Sequence, residues 1–145
     1  MSDIELSALL ADASQAGAYF VDARDREALI EAGGALQFAV LPMDLRGCES
    51  AEAGMREIAE ILQFPEWFGG NLDALADCLN DLSWLPSEGY VLVLEHTGEW
   101  RTREADTFAT VLEIFNEAAQ RWAANRVPFW AFLPVSTREL EAINE

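Results

Sequence analysis

Two aspartates one helical turn apart, Asp73 and Asp77, are the residues whose type and spacing most invite chemistry. They stand in residues 64–84, FPEWFGGNLDALADCLNDLSW. Pro65 and the pair Gly69 and Gly70 mark a loop. Asn71 is a good helix N-cap, because its side-chain carbonyl can accept a free amide of the first turn. Leu72, Leu75, Ala76, Leu79 and Leu82 then recur at helical spacing and form one apolar face. Asp73, Asp77, Asn80 and Asp81 are left on the polar side. A carboxylate in the first turn, Asp73, is favoured by the helix dipole. Asp77 has no such reason to be there, since like charges at i and i+4 destabilise a helix by roughly 0.2–0.5 kcal/mol and Asp is a mediocre helix former.

Such a pair can serve as acid and base, hold a cation, or present negative charge to a cationic partner. The plainer alternative is a solvated face. Acid–base work needs two carboxylates facing each other across a cleft, and these share one side of one helix. A metal held by Asp73, Asp77 and Asp81 would sit on a helix ridge that cannot encircle it, so neither metal nor cofactor is expected. His96 is the sole histidine, in a loop beside Glu95 and Glu99, and reads as solvated. There is no nucleophile elbow and no phosphate loop. Cys48 and Cys78 lie far apart, which is neither a disulfide framework nor a zinc spacing. Cys78 reads as a packing residue and Cys48 as a turn residue. No enzyme is expected. Trp67 and Phe68 stand just upstream of the acids, where a merely solvated face has no use for them. Aromatic residues beside charges are the composition of a protein-binding hot spot.

Charge points the same way. The chain of 145 residues carries 26 acidic and 9 basic residues, a net charge of -17. It repels nucleic-acid phosphates and anionic lipid and attracts cationic partners. Hydrophobic residues make up 51%, enough for a real core in one domain. No apolar run approaches the roughly 20 residues of a membrane helix. The opening residues lack the basic n-region of a secretory signal, so a cytoplasmic protein is expected.

The elements that must position the acids follow in order. Residues 3–16 hold a short helix with Ile4, Leu6, Leu9 and Leu10. Residues 18–21 form a strand, and residues 25–32 a helix with Ala28, Leu29 and Ala32 inward, stopped by Gly33 and Gly34. A second strand covers residues 36–45, where Pro42 requires a sheet edge, a bulge or the end of the sheet. Ser50 caps a helix over 51–63 with Met55, Ile58, Ala59 and Leu62 inward. After the acidic helix, residues 90–94 are an apolar run typical of a strand buried on both faces. Residues 95–99 read as a loop, 102–124 as one long helix, 127–133 as a last strand, and Ser136 caps a short tail helix. Strands alternating with helices predict an α/β fold with a small, mainly parallel sheet and right-handed crossovers.

Residues 65–79, PEWFGGNLDALADCL, resemble the signature of the barstar family, intracellular inhibitors of barnase-type secreted ribonucleases. The pattern continues in Val91 to Glu95, in Val111, Leu112, Phe115, Glu117 and Ala118, and in the strand at 127–133. The resemblance covers residues 36–134. Residues 1–35 look like the N-terminal extension of longer barstar-like proteins, packed on that domain, and residues 135–145 are the tail helix. The resemblance implies that the acidic helix and the loop before it plug a ribonuclease active site. It puts contact aromatics at Trp67 and Phe68, central acids at Asp73 and Asp77, a supporting acid at Glu117, and lesser contacts at Gly69, Asn71, Leu72 and Ala74. The implied partner is a basic ribonuclease or nuclease toxin, bound by a monomer. Two positions depart from the family: Ala76 stands where a tryptophan is expected, and Arg121 where an acid is expected. Trp84 resembles a contact tryptophan, two residues further from Cys78. The competing reading is an acidic scaffold that self-associates through Trp67, Phe68 and Trp84.

Overall fold

The computed structural model describes residues 2–144. Its elements are α1 (Asp3–Leu10), β1 (Ala18–Asp22), α2 (Arg26–Ala35), β2 (Ala39–Asp44), α3 (Ala51–Ile61), α4 (Leu72–Asp81), β3 (Tyr90–Glu95), α5 (Gly98–Arg103), α6 (Ala105–Ala124), β4 (Phe129–Val135) and α7 (Thr137–Ile143). The four strands form one sheet in the order β1-β4-β3-β2, and every pairing is parallel. The fold is α/β with a small parallel sheet, as the alternation of elements predicts.

Side-chain alternation splits the core in two. On one face, Tyr90, Leu92 and Leu94 of β3 and Phe129, Ala131 and Leu133 of β4 pack against α3, α4 and α6. On the other, Val91, Val93, Trp130 and Phe132 meet Leu10 of α1 and Leu29 and Ala32 of α2. Both inner strands are covered on both sides, which is why they read as unbroken apolar runs. β2 is an outer strand, so Pro42, in register with Val93, costs no ladder bond on its open side. β1 is the other outer strand and pairs with β4 from Ala18↔Ala131 to Asp22↔Val135, so the first 35 residues add a strand to the same sheet.

Four local expectations change. α2 runs through Gly33 and Gly34 to Ala35, and the chain turns only at Gln37, with φ 62. Gly33 is there for packing: a Cβ on it would stand 3.0 Å from Val40 Cγ2 and 3.1 Å from Val91 Cγ2. Ala28 is exposed, because Leu29 and Ala32 already fill the face of α2 that meets the sheet. Residues 98–103 are helical, and a break at Glu104 (φ -137, ψ 61) separates α5 from α6. Glu104 is held there by a distant bond, its Oε1 accepting the Ala51 N–H at 2.6 Å. β4 extends through Pro134 to Val135, beyond the last residue at which β3 pairs with it.

Candidate functional site

The loop and helix of residues 64–82 are locally over-determined. Gly70 has φ 73, the left-handed region where glycine is cheapest. Asn71 caps α4 as expected, its Oδ1 accepting the Ala74 N–H at 2.8 Å. That bond engages the side-chain carbonyl and the Leu75 N–H engages the backbone carbonyl, which leaves the Asn71 amide nitrogen and backbone N–H for other contacts. Leu75, Cys78 and Leu79 are fully buried and fasten the helix to the sheet layer. Leu72, Ala74 and Ala76 are half-buried, and Gly69 is exposed.

The far end of α4 is held from outside. Leu82 takes a left-handed conformation (φ 46, ψ 26) that costs a non-glycine residue roughly 1–2 kcal/mol. Its side chain is buried in return. Trp122 of α6 donates its Nε1–H to the Leu79 carbonyl at 2.8 Å, satisfying one of the carbonyls that a helix end leaves free. Trp84 donates likewise to the Leu62 carbonyl at 2.9 Å, closing the loop over the end of α3.

Trp84 also supports the aromatic group. Phe64 meets Phe68 edge-on at 4.9 Å and Trp84 at 5.9 Å, and Trp67 stands edge-on to Trp84 at 6.2 Å. Such arrangements contribute about 0.5–1.5 kcal/mol each beyond area burial. Phe68 is half-buried in this cluster, whereas Trp67 is 56% exposed. The structure thus brings Trp84 to the site as a prop for Trp67, with Phe64 packed against Trp84 and Phe68. The signal for Trp84 was present in its aromatic type, and the spacing alone left its role open.

Asp73, Asp77 and Asp81 are all exposed. Among the described residues no ion pair and no side-chain hydrogen bond engages any of their carboxylates. Glu117 is exposed on α6. Its neighbour Asn116 accepts the Ala18 N–H at 2.8 Å, which fixes that flank of α6 against β1. Glu117 is the next residue of α6, the helix that packs against α4. Arg121, one turn on, is exposed as well.

Other chemistry finds no support in this geometry. Burial, with the charges of Asp77 and Asp81 added, pushes the Cys78 thiol up to about 11, so it stays protonated and inert at neutral pH. Cys48 is buried, more than a turn residue requires, and its thiol is raised by the same cause. His96 lies between β3 and α5. Its Nδ1 is 2.8 Å from Asp44 Oδ1 and its Nε2 is 3.1 Å from an Arg46 nitrogen. Arg46 can only donate, so Nε2 accepts and Nδ1–H donates to Asp44. No group of three or more His, Cys, Asp or Glu side chains among the described residues is arranged to hold a metal.

A family model described as Barstar (barnase inhibitor) matches residues 38–134. The chain belongs to the barstar family. The match takes in the whole of the loop and acidic helix, together with β2, β3, α3, α5, α6 and all of β4 but Val135, and excludes α1, β1, α2 and α7. Barstar-family proteins are inhibitors rather than enzymes. No curated protein matches the chain. No helix among the described residues is long and apolar enough to cross a membrane.

Proposed function

We propose that this barstar-family chain is a cytoplasmic inhibitor that binds a barnase-type ribonuclease, or a related nuclease toxin, and occludes its active site with α4 and the loop before it. The observation that carries the reading is that Asp73 and Asp77 are exposed and make no ion pair among the described residues. The helix dipole accounts for Asp73, but the helix gains nothing from Asp77, and a partner does.

A ribonuclease active site must hold a phosphate, so it is lined by Arg, Lys and His. Asp77 stands in for the phosphate, and its charge-assisted hydrogen bonds to Arg are short and directional. Asp73 serves a second cation, and Glu117 extends the negative field from α6. Trp67, propped by Trp84, lies over the pocket and excludes water, which strengthens each charge pair beneath it. Phe68, Gly69, Leu72 and Ala74 supply close contact around the acids. Asn71 contributes mainly by holding the helix start. The net charge of -17 speeds encounter with a basic enzyme. The complex is one inhibitor to one enzyme.

The test is cleavage of a fluorogenic RNA by barnase, and by any nuclease encoded beside this chain, with the chain titrated in. Stoichiometric loss of cleavage is expected for at least one of them. If every such enzyme remains fully active with the chain in large excess, the inhibitor reading is wrong.

A further inference from the structure

The carboxyl edge of the sheet forks. β3 pairs with β4 from Tyr90↔Phe129 to Val93↔Phe132. Beyond that, Leu133, Pro134 and Val135 have β1 as their only strand partner among the described residues, ending at Asp22↔Val135. One residue accounts for the parting. Ala131 donates its N–H to the Gly17 carbonyl, on the β1 side. Successive N–H groups of a strand point to opposite sides, so the N–H due at position 134 belongs to the β3 side, and proline has none to give. His96, with φ 58, turns the chain away just after β3. A cavity of about 270 Å³ fills the fork, with Glu95, Thr97 and Arg101 on one side and Pro134, Ser136 and Glu139 on the other.

Two ion pairs bridge the fork. Arg26, at the start of α2, donates to both oxygens of Glu95, at the end of β3, at 2.5 and 3.2 Å. Arg101 of α5 donates to Glu139 Oε1 of α7 at 2.5 Å. The Arg101 guanidinium is set for this by the buried Thr97 hydroxyl, 3.1 Å from its Nε, and by the Phe20 ring, whose centroid lies 5.1 Å from its Cζ. α7 itself has no buried residue. Thr137 ties it to β1, donating to Asp22 Oδ2 at 2.6 Å. α7 therefore rides on the β1 side of the fork and reaches the β3 side through the Glu139 carboxylate. That carboxylate's side chain is 44% exposed, and ion pairs open to solvent hold weakly.

We propose that α7 is a strap over this fork, released as one unit about the joint at Pro134 to Ser136, and that its release opens the cavity. Local openings of this kind cost less than global unfolding. A seven-residue helix does not persist once undocked, so release and melting of α7 are one event. The crevice outside the carboxyl ends of the strands is where open α/β sheets admit ligands, and here the chain's own Glu139 closes it. No residue of α4 or of the loop before it lines the cavity, so the strap is separate from the proposed inhibitory surface.

The test is amide hydrogen exchange by NMR on the full chain. The Leu140 and Asn144 N–H groups bond to the Ser136 and Leu140 carbonyls, and the Tyr90 N–H bonds to the Pro128 carbonyl in the middle of the sheet. Leu140 and Asn144 should exchange through one shared opening, well ahead of Tyr90. Arg101→Gln removes the hold from the far side of the cavity without touching α7, and should speed both by about three- to tenfold while Tyr90 stays as it was. A thiol placed in the lining by Val135→Cys should react with a maleimide at a rate that Arg101→Gln raises by a similar factor, against the buried Cys48 and Cys78 as baseline. In the parent chain, added NaCl should speed Leu140 relative to Tyr90, because it screens the pair; that comparison stands even if Arg101→Gln does not fold. None of these measurements requires a ribonuclease target. Leu140 exchanging as slowly as Tyr90 overturns the proposal, and so does a fast Asn144 beside a slow Leu140, which is ordinary end-fraying. Exchange in α7 that neither Arg101→Gln nor salt alters overturns it too.

Discussion

Replacing Asp77 with alanine should move folding and binding in opposite directions. In the free protein the carboxylate is exposed and makes no ion pair or side-chain hydrogen bond among the described residues, so no native interaction seen there is lost. Alanine has a better helix propensity than Asp by roughly 0.5–0.7 kcal/mol. The change also removes like-charge spacings to Asp73 and Asp81, at about 0.2–0.5 kcal/mol for each i,i+4 pair. Asp77 lies in the second turn of α4, beyond the reach of the N-terminal dipole that favours Asp73. The sum is a gain of about 1 kcal/mol, or roughly 2–5 °C in melting temperature for a chain of this size. At the proposed interface the same change leaves an enzyme cation buried without its partner, which costs about 2–5 kcal/mol, a loss of roughly 30- to several-thousand-fold in affinity. Thermal unfolding by circular dichroism and isothermal titration against an inhibited ribonuclease read the two quantities separately. A variant that melts several degrees lower and binds as before would refute the reasoning, because Asp77 would then be holding the fold rather than facing a partner.

Three further outcomes follow from the geometry. Trp67→Ala should leave stability within about 1 kcal/mol, since the ring is more than half exposed, and should weaken ribonuclease binding by about 2 kcal/mol or more in the same titration. Gly54→Ala should destabilise the protein by about 1–3 kcal/mol or more in urea unfolding, because a Cβ on Gly54 would overlap the buried Trp100 ring. The Asp22 carboxyl is held down to about 2, first by the side-chain hydrogen bond from Arg24 and then by that from Thr137. A carboxyl lowered on folding stabilises the protein above its unfolded value near 3.8, and the contribution fades as pH falls from there through about 2. Asp22→Asn should therefore flatten the fall in melting temperature between about pH 5 and 2, and leave its slope near pH 7 unchanged.

What the sequence disclosed and what it withheld divide along the range of the interactions involved. The faces of α3 and α4 and the double burial of β3 are written in local periodicity, and so is the acid ridge, because Asp73 and Asp77 are placed by the same turn spacing that buries Leu75 and Leu79. The sheet order is not written there. β1 pairs with β4 at the other end of the chain, and no local pattern names a parallel partner. The break between α5 and α6 depends on Glu104 reaching back to the start of α3, and the passage of α2 through two glycines depends on Val40 and Val91 closing in on Gly33. In both cases a distant contact overrides the local signal. The candidate site divides in the same way. Its acids and Trp67 are local features, whereas the devices that hold them in place are not: the indole of Trp122 on the last carbonyls of α4, and the indole of Trp84 on the end of α3, with its ring beneath Trp67. A surface that must bind with little rearrangement needs such props, because side chains ordered in advance do not have to be ordered on binding. In the proposed inhibitor, ring-to-ring support of Trp67 and an external hold on α4 are what would separate a presented acid pair from an ordinary solvated helix face, although the two read alike residue by residue.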